Sequence, residues 1–368
     1  MAAGRGKEEK GVKKRALALL LAGLLSLGGC SGSVDISKRS IVTAVAVSLQ
    51  EDGGYEIMVE YLTRLGGEEQ SYESRSGRGG TFAQAVMDME QVSGRTLYLD
   101  GCKVLLVDGV EDREQLRELL GEVDAHGGVR PLTLVAVSPQ SPGLLEGKAR
   151  EEDSAGEEVF SLLTSGELSQ VNLKDCLNLL DTPGRGLLLP VVERTEEQAV
   201  ISGYLSAGEA ALVQAPPEIM GLLPFARSGQ GSEVVRTVSG RGYSMDWVLE
   251  KNRLKIRPRA EGERLTMELE AEVEGYLLSF RGEGTEGVLE RAQEDICRQM
   301  LEEYTYVLEK IVRASGNDLF SFGKRVELFL PEFWEDVGKD WLAVLPEAGL
   351  EIHGSVLLRD KKQLLDQG

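Results

Sequence analysis

The residues able to do chemistry are few and scattered. Two histidines, His126 and His353, and four cysteines, Cys30, Cys102, Cys176 and Cys297, are the whole supply of soft ligands and ready nucleophiles in 368 residues. A structural zinc site needs cysteines or histidines paired a few residues apart. No such pair occurs, and His126 falls in the turn "DAHGG" while His353 falls in a strand-like stretch. No G-x-S-x-G elbow is present, so a hydrolase serine is not expected. "GEGTEG" (Gly282, Gly284, Gly287) has the form of a dinucleotide fingerprint. Glu283 and Glu286 would set carboxylates against the pyrophosphate, and the strand before it alternates like a half-exposed one. It reads as a strand-to-helix loop. "SGRGG" at 76–80 lacks the lysine and serine of a phosphate loop. Acidic pairs such as Glu68–Glu69 and Glu302–Glu303 read as solvated faces. The sequence predicts no catalytic residue, no metal and no cofactor.

One thiol stands in a marked setting. Arg5, Lys7, Lys10, Lys13, Lys14 and Arg15 are followed by the apolar run Ala16–Leu27, then Gly28, Gly29 and Cys30. The run fits a signal-peptide core and falls short of the ~20 residues that span a bilayer. "LGGC" (Leu27, Gly28, Gly29, Cys30) resembles the lipobox of bacterial lipoproteins. The resemblance implies lipidation of the Cys30 thiol, cleavage before it and acylation of the new amine. A thiolate is nucleophilic enough for that transfer, and two or more acyl chains hold a protein on a membrane where one does not. "SGSVD" would then be a short tether. Cys102, Cys176 and Cys297 are expected to be three buried free thiols, with one disulfide as the alternative.

The net charge of −20 argues against nucleic acid as a partner. The leader carries more basic than acidic residues, so the rest of the chain is more acidic still. Overall charge would repel anionic lipid, which leaves membrane attachment to the anchor. A hydrophobic content of 42% is enough for real cores.

The elements follow from periodicity. "SIVTAVAVSLQEDGGYEIMVEYLTRL" reads as a hairpin around "QEDGG". "SYESRSGRGG" reads as a polar loop. Thr81 caps a helix that buries Phe82, Ala85, Val86 and Met89. A short strand at 102–107, a helix with Leu116, Leu119 and Leu120 inward, and a strand at 131–137 complete a mixed α/β layer. "SPQSPGLLEGKAREEDSAGEE" is a linker, followed by two short helices across Val159–Leu180 and a second hairpin in "AVISGYLSAGEAALVQ". Leu265, Met267, Leu269, Ala271 and Val273 alternate along a half-buried strand. Leu289, Ala292, Ile296, Met300, Tyr304, Val307 and Ile311 stripe a long helix that Gly316 closes. Pro331 and Pro346 then break short helices before a final strand over 350–358. Trp334 and Trp341 are read as core residues, with a partner surface as the alternative.

The end of the chain carries a recognisable order of motifs. A long helix leads to "DLFSFG" (Asp318, Phe320, Phe322, Gly323), then to Pro331 and Trp334, then Trp341, then Leu345–Pro346 and the closing strand. This resembles the C-subunit lipoproteins of spore germinant receptors, the Ger(x)C or GerAC family. The lipobox followed by "IVTAVAVSLQEDGGYEI", and the run "GGTFAQAVMDMEQVSGRTLYLDGCKVLLVDG", extend the resemblance over nearly the whole mature chain. "CSGSVD" departs from the tryptophan that commonly follows the family's lipobox, and Gly101–Cys102 departs at a position where many members have histidine.

The resemblance implies an α+β, multi-domain chain with mixed sheets, packed helices and a long amphipathic helix in its C-terminal domain. The boundaries read as 1–29 signal peptide, 30–195 N-terminal α/β domain, 196–245 small middle domain and 246–368 C-terminal α/β domain. It implies a non-enzymatic subunit on the outer face of the inner spore membrane, held to the bilayer through Cys30 beside membrane-embedded A and B subunits. It assigns no residue to a germinant. The alternative is a lipid-anchored solute-binding protein or envelope enzyme.

Overall fold

The computed structural model describes residues 39–63, 71–139, 141, 143–146, 154–165, 170–182, 185–208, 210–216, 234–240, 242–282 and 287–359. The leader, the lipobox and Cys30 lie outside these residues, as do 283–286 of the "GEGTEG" stretch. No helix among the described residues is long and apolar enough to cross a membrane.

The first sheet is built on the expected hairpin. β1 (Arg39–Leu49) pairs antiparallel with β2 (Tyr55–Leu62) across a turn in which Gly53 takes φ 80°. "SYESRSGRGG" is a strand rather than a loop: β3 (Tyr72–Gly79) pairs antiparallel with β2. Its serines and glycines have low strand propensity, and tertiary packing overrides it. Helix α1 (Phe82–Ser93) presses so close that a Cβ on Gly77 would lie 2.5 Å from the Ala85 carbonyl oxygen. Thr81 caps α1 as expected, its side chain accepting from the Gln84 N–H.

After β4 (Thr96–Tyr98), which pairs with β1, strands β5 (Val104–Asp108), β6 (Leu134–Val137) and β7 (Leu187–Arg194) run parallel to β1. Helix α2 (Arg113–His126) joins β5 to β6, and α3 (Ala155–Thr164) and α4 (Leu173–Asp181) join β6 to β7. β8 (Ala199–Ala207) and β9 (Leu212–Ala215) close the sheet antiparallel, giving the order β3-β2-β1-β5-β6-β7-β8-β9. One face packs under α1, α2 and α4, and the other under α3.

The second sheet has the order β10-β11-β12-β13. β10 (Val234–Gly240) leads into the long hairpin of β11 (Tyr243–Glu261) and β12 (Arg264–Gly282), and β13 (Gly349–Arg359) lies parallel to β12. Leu265, Met267, Leu269, Ala271 and Val273 are all buried, as their alternation predicts. Helix α5 (Val288–Tyr306) covers this face, continues through a wide turn over Val307–Val312 and ends at Arg313–Ser315. The wide turn shifts the inward stripe, so the neighbours Val307 and Leu308 and then Ile311 and Val312 are all buried. Gly316, at φ 67°, ends the helix. Short helices α6 (Phe322–Phe329), α7 (Pro331–Val337) and α8 (Trp341–Val344) follow. The architecture is therefore α+β with two mixed sheets and a long C-terminal helix.

Residues 196–245, read from the sequence as a small middle domain, divide between the sheets. β8 and β9 belong to the large sheet, while β10 and the start of β11 belong to the small one. The hairpin "AVISGYLSAGEAALV" finds an open edge on β7, and pairing there satisfies its backbone. The three described cysteines are free; Cys102 and Cys176 are buried, but Cys297 is only half-buried. Its place on α5 beside Gly354 of the edge strand β13 leaves one side open.

One buried charge fastens the large sheet to α3. Glu60 on β2 is 3% exposed and has no basic partner among the described residues. Its carboxylate accepts from Thr43 Oγ1 and Ser154 Oγ, both at 2.6 Å, and from the Ala155 and Gly156 N–H groups at 2.7 and 3.1 Å. The last two are orphan donors of the helix N-terminus, where a negative charge is favoured. Glu60→Ala leaves these donors buried without an acceptor. It should cost about 3 kcal/mol, read as a lowered midpoint in urea unfolding.

Candidate functional site at the Asn317–Asp318 joint

The motif residues converge where α5 ends. Gly316 turns the chain so that two neighbouring polar side chains, Asn317 and Asp318, are both fully buried and face different halves of the protein. Asn317 engages the large sheet. Its Oδ1 accepts from the Leu187 N–H at 3.0 Å, and its Nδ2 donates to the Leu187 carbonyl at 2.6 Å and to Ser206 Oγ at 2.8 Å. The side-chain amide thus pairs with both backbone groups of one residue of β7, as a neighbouring strand would. Ser315 adds a second contact, its carbonyl accepting from the Ala210 N–H at 2.9 Å and its hydroxyl lying 3.1 Å from Ser206 Oγ.

Two glycines make this approach possible. A Cβ on Gly208 would lie 1.8 Å from the Ser315 carbonyl oxygen, and one on Gly186 would lie 2.5 Å from Asn317 Oδ1. The contact is therefore backbone against backbone, with no room for a side chain. Leu188, Tyr204 and Ala215 of the large sheet share a hydrophobic cluster with Val312, Leu319 and Phe320 around it.

Asp318 engages the C-terminal helices. Its Oδ1 accepts from the Phe322 N–H at 2.7 Å; its Oδ2 accepts from the Gly323 N–H at 2.7 Å and from Trp341 Nε1 at 3.0 Å. It therefore caps α6 and pins α8 through the same carboxylate. Burial pushes its carboxyl up to about 6, against the opposing pull of the Gly323, Phe322 and Trp341 donors. Ser321 takes φ 56°, the one left-handed non-glycine among the described residues, which swings Phe322 and Gly323 back toward the carboxylate. Phe320 and Phe322 stack with ring centroids 5.5 Å apart, and Tyr304 of α5 lies 6.3 Å from Phe320. Asn252 of β11 donates to the Tyr304 hydroxyl at 2.8 Å, linking α5 to the small sheet.

The structure thus brings Asp318, Phe320, Phe322, Gly323 and Trp341 to one node. Pro331, exposed at the first turn of α7, and Trp334 stand outside it, and Trp334 joins through its ring, 5.3 Å from that of Trp341. Trp341 is buried, as the core reading expects, while Trp334 is partly exposed. Leu345 is buried in the same cluster. Asn317 and Ser206 were not singled out by sequence reasoning; the signal was the asparagine directly after the αL glycine and before the motif aspartate. The histidines are apart: His126 packs edge-on against Phe82, and His353 is exposed on β13. Among the described residues no cluster of histidine, cysteine and carboxylate groups could hold a metal.

Gly208→Ala forces the Ser315 carbonyl away and should lower the melting temperature by several degrees, read by circular dichroism. Asp318 makes a pH-dependent contribution. Folded Asp318 keeps its proton up to about pH 6, whereas an unfolded aspartate releases it near ~4. Folding takes up a proton between those values, so this contribution to stability is largest at the acid end and falls as pH rises. Asp318→Asn removes that titration. The wild-type stability minus that of the variant should fall by about 2 kcal/mol between pH 4 and pH 7, measured by denaturant unfolding at each pH.

Comparison with known proteins agrees with this two-part build. Residues 32–194 match the spore germination protein N-terminal domain, and residues 216–361 match the spore germination B3/GerAC-like C-terminal domain. Among curated proteins none matches. Among solved structures the chain is similar to the crystal structure of the GerBC protein, with a TM-score of 0.57 and 14% identity over 86% of this chain and 96% of that one. At that identity the likeness is one of fold. With both domain families matched along most of its length, the chain belongs to the GerAC family of spore germination proteins.

Proposed function

We propose that this chain is the non-enzymatic, lipid-anchored C subunit of a spore germinant receptor, working beside membrane-embedded A and B subunits. The observation that carries the coupling role is the Asn317–Asp318 joint. At this meeting of the two halves the Asn317 side chain and Ser315 bond the large sheet, while Asp318 holds α6 and α8 in place beside them. A solute-binding protein of two lobes keeps a cleft between them for its ligand; here the meeting place is filled by an amide, a carboxylate and aromatic rings. That arrangement favours a chain that carries a positional signal over one that encloses a small molecule. The leader and "LGGC" supply the reading of the anchor, with acyl chains on Cys30 holding the protein at the outer face of the inner spore membrane.

The test is nutrient-triggered release of dipicolinic acid from spores in which this receptor is the only one. Cys30→Ala should slow release at least tenfold, with the protein still made but washed from the membrane. Asn317→Ala should slow it while the protein stays in the membrane fraction. Release at the wild-type rate in both strains would sink the receptor-subunit reading.

A further inference from the structure

The parallel strands of the large sheet all begin at one end. Ala44 pairs with Val104 and Val104 with Leu134, while Val137 pairs with Val191, which sets Leu134 level with Leu188. The start of β1 and the start of β7 therefore share this end, with three strand spacings, about 14 Å, between the two strands. The chain leaves β1 here toward Cys30. Ser31 to Lys38 is eight residues, a reach of at most about 28 Å. An anchor on Cys30 would hold this end near the bilayer.

The same end collects exposed apolar side chains. Leu132, two residues before β6, is 72% exposed; Leu328 and Phe329 on α6 are 65% and 56% exposed. Leu328 is tied to this end because it lines a recess with Arg185 and Gly186, which directly precede β7, and with Lys324 and Arg325. Lys324 pairs with Glu327, but Arg185 and Arg325 have no ion pair among the described residues. At the opposite end the loops carry Glu51, Asp52, Asp108, Glu111 and Asp112. A strongly acidic chain thus keeps arginines without an ion pair among the described residues beside exposed leucine and phenylalanine, at the end where its anchor would lie.

We propose that this end of the large sheet docks on the bilayer, with Leu132, Leu328 and Phe329 entering the headgroup layer and Arg185 and Arg325 meeting lipid phosphates. Apolar side chains flanked by cations are the pattern of an interfacial contact. Few cations make such a contact weak for a free protein. The tether makes it effective by keeping the surface at high local concentration. Docking would fix the orientation of the joint, whose Gly186 and Ser321 line the same recess. The proposal rests on the anchoring reading, and its test does not depend on acylation in the cell.

The whole mature chain from Ser31, with a hexahistidine tag in place of the lipidated cysteine, is tied to nickel-chelating vesicles of phosphatidylcholine and phosphatidylglycerol. The acyl chains are brominated near the headgroup. Phe329→Trp and Leu132→Trp should each show at least twofold more quenching than the unsubstituted chain, while Glu51→Trp at the other end shows no excess. Arg185→Glu with Arg325→Glu should abolish the excess in the Phe329→Trp chain, at an unchanged melting temperature. Equal quenching at all three positions on tethered, folded protein would overturn docking. Excess quenching that appears only when membrane protein partners are co-reconstituted would overturn it in favour of a protein-binding surface. Separate mass spectrometry of the peptide holding Cys30, from host membranes, decides the anchor independently.

Discussion

Two adjacent buried side chains facing different halves are the constraint on which the rest of the structure depends. A buried amide or carboxylate without partners is costly, so each must find all its donors and acceptors inside the protein. Asn317 finds them on β7 and β8, and Asp318 finds them on α6 and α8. Asn317 is satisfied only when the large sheet is folded and in register with the end of α5, and Asp318 only when α6 and α8 are packed beside it. The consequence reaches backward along the chain. The tight end of α5, the glycines at 186 and 208, and the left-handed Ser321 are all conditions for those hydrogen bonds to close.

The long helix earlier in the chain supplies the lever arm. Ala292, Ile296, Met300 and Tyr304 bury one stripe on the small sheet, each large side chain contributing about 1.5–3 kcal/mol. Past Tyr306 the helix leaves the cover of one sheet and enters the space between two, where both flanks must be apolar. The wide turn at Val307–Val312 accommodates that change by setting consecutive residues inward. Regular α-helical spacing would have left one of each pair facing the wrong side. The helix therefore joins the small sheet to the joint as a continuous packed element.

Sequence patterning made the local elements readable because each depends on its own residues. The β1–β2 hairpin, the Thr81 cap, the stripe of α5 and the Gly316 stop are short-range effects of periodicity and turn chemistry. What escaped reading was set by residues distant in sequence. β3 looks like a loop because its serines and glycines are chosen for the closeness of α1, not for strand formation. Glu60 looks like any strand glutamate, and only folding brings Ser154 and the start of α3 to it. The split of residues 196–245 between two sheets was hidden for the same reason, since an edge strand carries no mark of the sheet it will join. The motif residues of the C-terminal half were legible as a motif, but Asn317, which does the cross-linking, was not.

The arrangement also gives the C-terminal motif a physical reading. Phe320, Phe322 and Trp341 offer no catalytic chemistry; they surround a carboxylate with apolar surface, which strengthens its hydrogen bonds by excluding water. Burial raises the proton affinity of that carboxylate, and the Gly323, Phe322 and Trp341 donors hold it back. The balance leaves a node that is stable only as a complete set. Removing one donor leaves that part of the buried carboxylate without its hydrogen bond. The node fixes α6 against α8 at the end of α5, the place from which Asn317 reaches the large sheet.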